Sequence, residues 1–221
     1  MVRPWTGLLR KLAPRLDAER ERRMAVAEVH AAYVAALAEL RRTDFLAHTL
    51  RAGQPFPDFL LPDAEGRLVS RDDLLAHGPF VAAFFRGTWC PYCAITLDAL
   101  EEALPQITAL GATLIAITPE TGGRALELKR RHRAGYAVLA DVDQGLGMAC
   151  GVVFRAPEPY RRLLLSRGVD LAERQGHAGG FLPVPASFVV DRAGIVRWAF
   201  VDVDFTRRAE PDDILAALAA L

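Results

Sequence analysis

The stretch "FFRGTWCPYCAITLDALEEAL", residues 84–104, sets two of the chain's three cysteines three positions apart, where an apolar run gives way to a helical pattern. Upstream, "PFVAAFFRG" is a near-continuous apolar run bounded by Pro79 and Gly87, the pattern of a strand buried on both faces. Downstream, Leu97, Leu100 and Leu104 recur on one helical face. A strand ending at Arg86 and a helix starting near Cys90 place the first cysteine at a helix N-terminus. That point is also the C-terminal edge of a buried strand, where open α/β sheets put their sites. Unpaired helix N–H groups and the helix dipole stabilise a thiolate there. Pro91 suits the first helical turn because it gives up an N–H that would be unpaired anyway. Cys93, one turn further on, is within reach of Cys90 for a small disulfide ring.

Working outward, strand and helix alternate. "DFLLPDAEGRLVS" predicts a hairpin turning at Glu65-Gly66, and Ser70 with Asp73 predicts a capping box for a short helix over "RDDLLAHG". "GATLIAITPE" and "YAVLAD" read as further strands, separated by a surface helix over "TGGRALELKRRHR". "PASFVVDRAGIVRWAF" reads as two strands joined at Arg192-Ala193-Gly194, followed by a terminal helix over "EPDDILAALAAL". The irregular segment between Gly151 and Pro183 contains one helical piece and a "GHAGG" tract; it is either a lid over the site or a packed insertion. This pattern predicts an α/β domain with a mixed central sheet flanked by helices. Ahead of it, residues 17–42 read as one long helix with Val26, Val29, Tyr33, Leu37 and Leu40 as its apolar stripe. "RAGQPFPDF" marks the boundary, giving an N-terminal helical extension at 1–50 and a redox domain at 51–221. The stripe needs a cover, either the main domain or a second copy in a homodimer.

Composition narrows the classes. Lys+Arg and Asp+Glu balance at 27 each, so no global charge points to nucleic acid. The basic runs "LKRRHR" and "ERERR" read as solvated helix faces. No apolar segment reaches membrane-spanning length, and the N-terminal "MVRPWTGLLRKLAPRLDAERER" lacks a signal-peptide core. A cytoplasmic protein is expected, in a compartment where Cys-x-x-Cys is catalytic or metal-binding more often than a structural staple. A zinc site needs about four ligands. Only Cys150 remains as a thiol, and His30, His48, His77, His132 and His177 are scattered, so no metal or other cofactor is expected. Two inert core cysteines are the other alternative. Redox chemistry is favoured: Cys90 attacks a peroxide oxygen or disulfide sulfur, and Cys93 resolves the product as an internal disulfide. Trp89 packs beside the pair, and its fluorescence should report the redox state.

"RGTWCPYC" after a buried strand, with "VPASFVVDRAGIV" much later, resembles the thioredoxin-like superfamily. More closely, with "GQPFPDFLLPDAEG" and "DVDFTRRAEPDDILAAL", the chain is similar from about Gly53 to Leu221 to peroxiredoxin-like proteins. These are the members of the alkyl hydroperoxide reductase/thiol-specific antioxidant (AhpC/TSA) family that carry a Trp-Cys-Pro-Tyr-Cys motif. The resemblance implies a thioredoxin-like fold in which Pro185 matches the cis-proline facing the cysteine pair and Val184 offers backbone hydrogen bonds to a bound substrate chain. It also implies that Cys150 lies in a segment carrying no required cysteine. Two features depart from it. Thr88 lies two residues before Cys90 and five before Cys93, neither matching the Pro-x-x-x-Thr-x-x-Cys spacing of true peroxiredoxins. And "VAAFF" carries no acid where many thioredoxins place a buried carboxylate.

The resulting expectation is a thiol peroxidase acting on hydrogen or organic peroxides and recycled by thioredoxin or a similar dithiol donor. A general thiol–disulfide oxidoreductase of protein disulfides is the alternative, and a non-enzymatic redox-sensing module a third. Arg86 is either a charge beside the thiolate or an exposed strand-end arginine. Tyr92 is expected to pack or to contact a partner rather than to act as an acid–base group, and Cys150 to fill the core rather than to serve as a second resolving thiol.

Overall fold

The computed structural model describes Leu9 and residues 11–221; the start of the N-terminal stretch read above for targeting lies outside the described residues. At the centre is a five-stranded mixed sheet in the order β5-β4-β3-β8-β9. Its strands are β3 (Phe80–Phe84), β4 (Thr113–Thr118), β5 (Ala137–Ala140), β8 (Ala186–Val190) and β9 (Val196–Val201). β3, β4 and β5 run parallel, whereas β8 and β9 are antiparallel to their neighbours. The 52–70 region forms the expected hairpin, β1 (Leu60–Pro62) and β2 (Leu68–Ser70), turning through Gly66 at φ +83°. The Ser70–Asp73 capping box opens α3 (Arg71–His77).

All five residues of β3 are buried, as a central strand covered on both faces requires. Val81, Ala83 and Phe85 face one core, shared with α4 (Pro91–Ala109) and α9 (Pro211–Ala219). Phe80, Ala82 and Phe84 face the other, with Phe56, Phe188 and Cys150. Cys150 is fully buried there, behind α6 (Gly145–Ala149), and burial pushes its thiol up.

The single N-terminal helix expected over 17–42 is instead two, α1 (Leu12–Met24) and α2 (Ala27–Arg42). Val26 breaks them with an extended backbone, φ −89° and ψ 111°, and is exposed rather than part of a stripe. The break has a packing cause: the two helices cover different surfaces. Leu12 and Leu16 of α1 join the α4–α9 core, and the Glu210 carboxylate accepts the α1 N-terminal amides of Leu12 and Ala13 at 2.8 and 2.7 Å. Ala32, Ala36, Leu37 and Leu40 of α2 pack on the 153–183 segment. That segment is a folded insertion: β6 (Val153–Arg155) pairs with β7 (Phe181–Pro183) around α7 (Glu158–Ser166) and α8 (Leu171–Gln175). The apolar faces that suggested a homodimer through the N-terminal helix are therefore covered within one chain. Among the described residues no helix is long and apolar enough to cross a membrane.

Candidate active site

Cys90 is the N-cap of α4, at the end of the loop leaving β3, and Pro91 occupies the first helical turn. Both cysteines are reduced and buried, Cys90 at 2% exposure and Cys93 at 0%. Burial by itself would raise a thiol pKa. For Cys90 that penalty is outweighed by a hydrogen bond from Cys93, then by the Arg86 and Arg208 charges, which together bring it down to about 5. Burial pushes Cys93 the other way, helped by the neighbouring Cys90 thiolate. The Arg86 backbone N–H donates to Cys93 Sγ at 3.4 Å, and Arg208 Nη2 approaches the same sulfur at 3.7 Å. One thiol is thus held ionised and its neighbour protonated, the division of labour that a nucleophile and a resolving thiol need.

Arg86 is not the exposed strand-end arginine of the alternative reading: it is 1% exposed. Its guanidinium lies 4.4 Å from the Phe205 ring centroid, 4.7 Å from that of Trp89 and 5.2 Å from that of Tyr160, and Nη2 donates to the Tyr160 hydroxyl. Three aromatic faces offset part of the cost of burying the cation, and a flat guanidinium is shaped to lie against them.

The loop that delivers Cys90 is held from the next strand. Glu120, just past β4 and 1% exposed, accepts from the Thr88 N–H at 2.6 Å and from the Thr88 hydroxyl at 3.2 Å. Arg174 of α8 donates to both Thr88 Oγ1 and Glu120 Oε1, at 3.0 and 3.1 Å. Gly87 is required at this crossing: φ is +136°, and a Cβ there would lie 2.5 Å from Glu120 Cδ. So Thr88 serves the loop, with its hydroxyl already engaged. Burial raises the Glu120 pKa against the pull of Thr88 and Arg174.

Over Cys90 lies a cavity of about 280 Å³. Its floor is Arg86, Trp89, Cys90 and Tyr92; α1 and α2 supply Met24, Val29 and Tyr33, and α7 supplies Tyr160, Leu163 and Leu164. Sequence reasoning brought Arg86, Thr88, Trp89, Cys90, Pro91, Tyr92 and Cys93 to one loop and helix start, and they are there. It missed Tyr160, Phe205, Arg208 and Glu120, which reach the pair from distant segments and carry no local motif; only "FTRRAEP" fell in a stretch already matched to a family.

Val184 and Pro185 need correction. Among the described residues no peptide bond is cis, so the Val184–Pro185 bond is trans. Val184 is fully buried, and its N–H donates to the Val152 carbonyl at 2.7 Å. The Val152 carbonyl, just ahead of β6, has taken the hydrogen bond that a substrate chain would use, and neither residue lines the cavity.

Comparison with known proteins agrees with this architecture. A family model described as the AhpC/TSA family matches residues 52–199. "Thiol-disulfide oxidoreductase ResA" of Bacillus thuringiensis (strain Al Hakam) is 31% identical over 147 residues, 66% of this chain and 68% of the relative. The relative of the same name from Bacillus anthracis gives the same figures, 31% over 147 residues. Among solved structures, peroxidoxin BcpB from Mycobacterium tuberculosis superposes with a TM-score of 0.61 at 20% identity, covering 78% of this chain and 98% of that one. Xanthomonas campestris peroxiredoxin Q gives 0.57 at 17% identity, covering 78% of this chain and 96% of that one. These two likenesses show the thioredoxin-like fold. The chain belongs to the AhpC/TSA family.

Proposed function

We propose that this member of the AhpC/TSA family, a thiol-dependent oxidoreductase, reduces hydrogen peroxide or organic hydroperoxides, with Cys90 as nucleophile and Cys93 as resolving thiol. The observation that carries this reading is burial: a thiolate 2% exposed faces a pocket of about 280 Å³, room for a small molecule. The Cys90 thiolate attacks the terminal peroxide oxygen, the O–O bond breaks, and the alkoxide leaves as alcohol once protonated. Cys90 is then a sulfenic acid. The Cys93 thiol attacks that sulfur, water departs with the Cys93 proton, and the pair is a disulfide. An external dithiol such as thioredoxin returns two electrons, so one peroxide and one dithiol become an alcohol, water and a disulfide. For a protein donor, the roof built by α1, α2 and α7 must move aside first. A reducing compartment such as the cytoplasm suits this cycle. Arg86 sustains the thiolate, and Thr88, Trp89 and Pro91 shape the loop that presents it.

A thiol–disulfide oxidoreductase is the second reading, supported by the names of the Bacillus relatives and by the Cys-Pro-Tyr-Cys spacing. The occupied Val184 amide and the covered site weigh against it.

Stopped-flow mixing of the reduced protein with hydrogen peroxide and with an organic hydroperoxide, followed by tryptophan fluorescence, tests the choice. Oxidation orders of magnitude faster than a free thiol, and lost in Cys90→Ser, is the expected result. A rate no better than a free thiol, with rapid reduction of a protein disulfide, assigns the second activity instead.

A further inference from the structure

Resting on the peroxidase reading, we propose that Tyr92 is a catalytic residue of this site: its phenol gives the leaving alkoxide its proton as the O–O bond breaks, while Trp89 Nε1 and Arg86 Nε hold the peroxide oxygens.

Three observations converge. Trp89 Nε1, Tyr92 Oη and Arg86 Nε are each buried, and none has a hydrogen-bond partner among the described residues. Buried donors are almost always paired, and an unpaired one costs about 1–3 kcal/mol. All three residues line the same cavity as Cys90. Donors without acceptors, on residues that line one cavity with a thiolate, fit a ligand that brings acceptor oxygens and an electrophilic centre together. A hydroperoxide is that ligand.

Most other polar groups near the pair are engaged, Arg208 Nε being a further buried donor without a partner among the described residues. The Thr88 hydroxyl is held by Glu120 and Arg174, Arg86 Nη2 by Tyr160, and Arg208 Nη1 by the carbonyls of Phe205 and Arg207. Cys93 must keep its proton for the resolving step. Tyr92 has a buried hydroxyl with no partner of either kind among the described residues, whereas the Tyr160 oxygen accepts from Arg86. Tyr92 is fixed at the start of α4, where its carbonyl accepts from the Thr96 hydroxyl at 2.7 Å. Burial pushes its phenol well above the ordinary tyrosine value, so it is protonated throughout the working range. An alkoxide is more basic still, and the transfer runs downhill. The phenolate so formed recovers its proton from water when the alcohol leaves, and the electrons stay with the sulfur–oxygen exchange.

The test compares leaving groups. An alkyl hydroperoxide expels an alkoxide that needs a proton, whereas peracetic acid expels acetate, which does not. Tyr92→Phe should lose at least about 100-fold in second-order rate with tert-butyl hydroperoxide and under about 3-fold with peracetic acid. Its iodoacetamide alkylation profile against pH should match the unsubstituted protein, which reports that Cys90 is intact. In the unsubstituted protein, a solvent deuterium isotope effect should appear with tert-butyl hydroperoxide and be absent with peracetic acid, independent of any variant. Equal losses with both oxidants, no loss, or isotope effects that do not differ would overturn the role of Tyr92 while leaving the peroxidase reading standing. An unsubstituted protein no faster than a free thiol with every peroxide would overturn both.

Discussion

At the scale of single residues, the chemistry turns on a cation that has no carboxylate partner among the described residues. Arg86 is buried among Phe205, Trp89 and Tyr160, and its charge is answered by the Cys90 sulfur. The sign of the effect is fixed: an acid whose pKa is depressed keeps its anion as pH falls, down to the lowered value. Iodoacetamide alkylation of the reduced protein should therefore stay level across neutral pH and decline only on approach to about 5. In Arg86→Met the decline should begin higher, toward the free-thiol value of about 8.5, and wherever the pH lies below the pKa the thiolate falls about tenfold for every pH unit between them. Arg86→Lys should resemble Arg86→Met more than the parent, since a flexible ammonium cannot lie flat against three rings. The Cys-Pro-Tyr-Cys motif was legible because its meaning is local: a strand end, a helix cap, one turn of spacing. Whether Arg86 was buried was not, because Phe205 and Tyr160 stand 119 and 74 positions away in the chain (205 − 86 and 160 − 86).

Among the elements, α2 and α7 matter most, for they roof the cavity without belonging to the central sheet. Leu40 of α2 is 1% exposed within the cluster that joins α2 to Tyr160, Leu163 and Leu164. Leu40→Ala should cost about 2–5 kcal/mol by urea unfolding. It should also speed the reaction of Cys90 with a bulky aromatic disulfide reagent more than its reaction with iodoacetamide, because a loosened roof admits the larger molecule. The strands of the central sheet and the Ser70–Asp73 cap followed from alternation and spacing, while β6 and β7 did not. The division of 17–42 into α1 and α2 did not, because Ala25-Val26 carries neither Gly nor Pro. The break is imposed by two targets, the α4–α9 core and the insertion, lying in different directions. Likewise, no pattern within Gly151–Pro183 revealed that the Val152 carbonyl would claim the Val184 amide.

For the molecule as a whole, the boundary near residue 50 is a change of composition, and we propose that it separates two parts that do not stand alone. Residues 51–221 expressed without the extension would leave Phe154, Leu163, Leu164 and Leu182 without Ala32, Ala36, Leu37 and Leu40 against them. Such a fragment should unfold at lower temperature, bind a hydrophobic dye and tend to aggregate, as large uncovered apolar patches do. The full chain should do none of these, a difference that calorimetry and size-exclusion chromatography will measure. The balanced charge of 27 basic and 27 acidic residues offers little colloidal protection to the fragment.

Arg208, one of the two cations beside the pair, is the 208th residue of 221 and follows the last strand of the sheet. On the ribosome Cys90 is made long before it, and before Phe205 completes the ring cage around Arg86. The thiol thus leaves the exit tunnel with only part of the field that ionises it, and gains the rest when the C-terminal region folds back. On the peroxidase reading, a nascent chain would carry a thiol short of its full acidity, which arrives only with the finished protein.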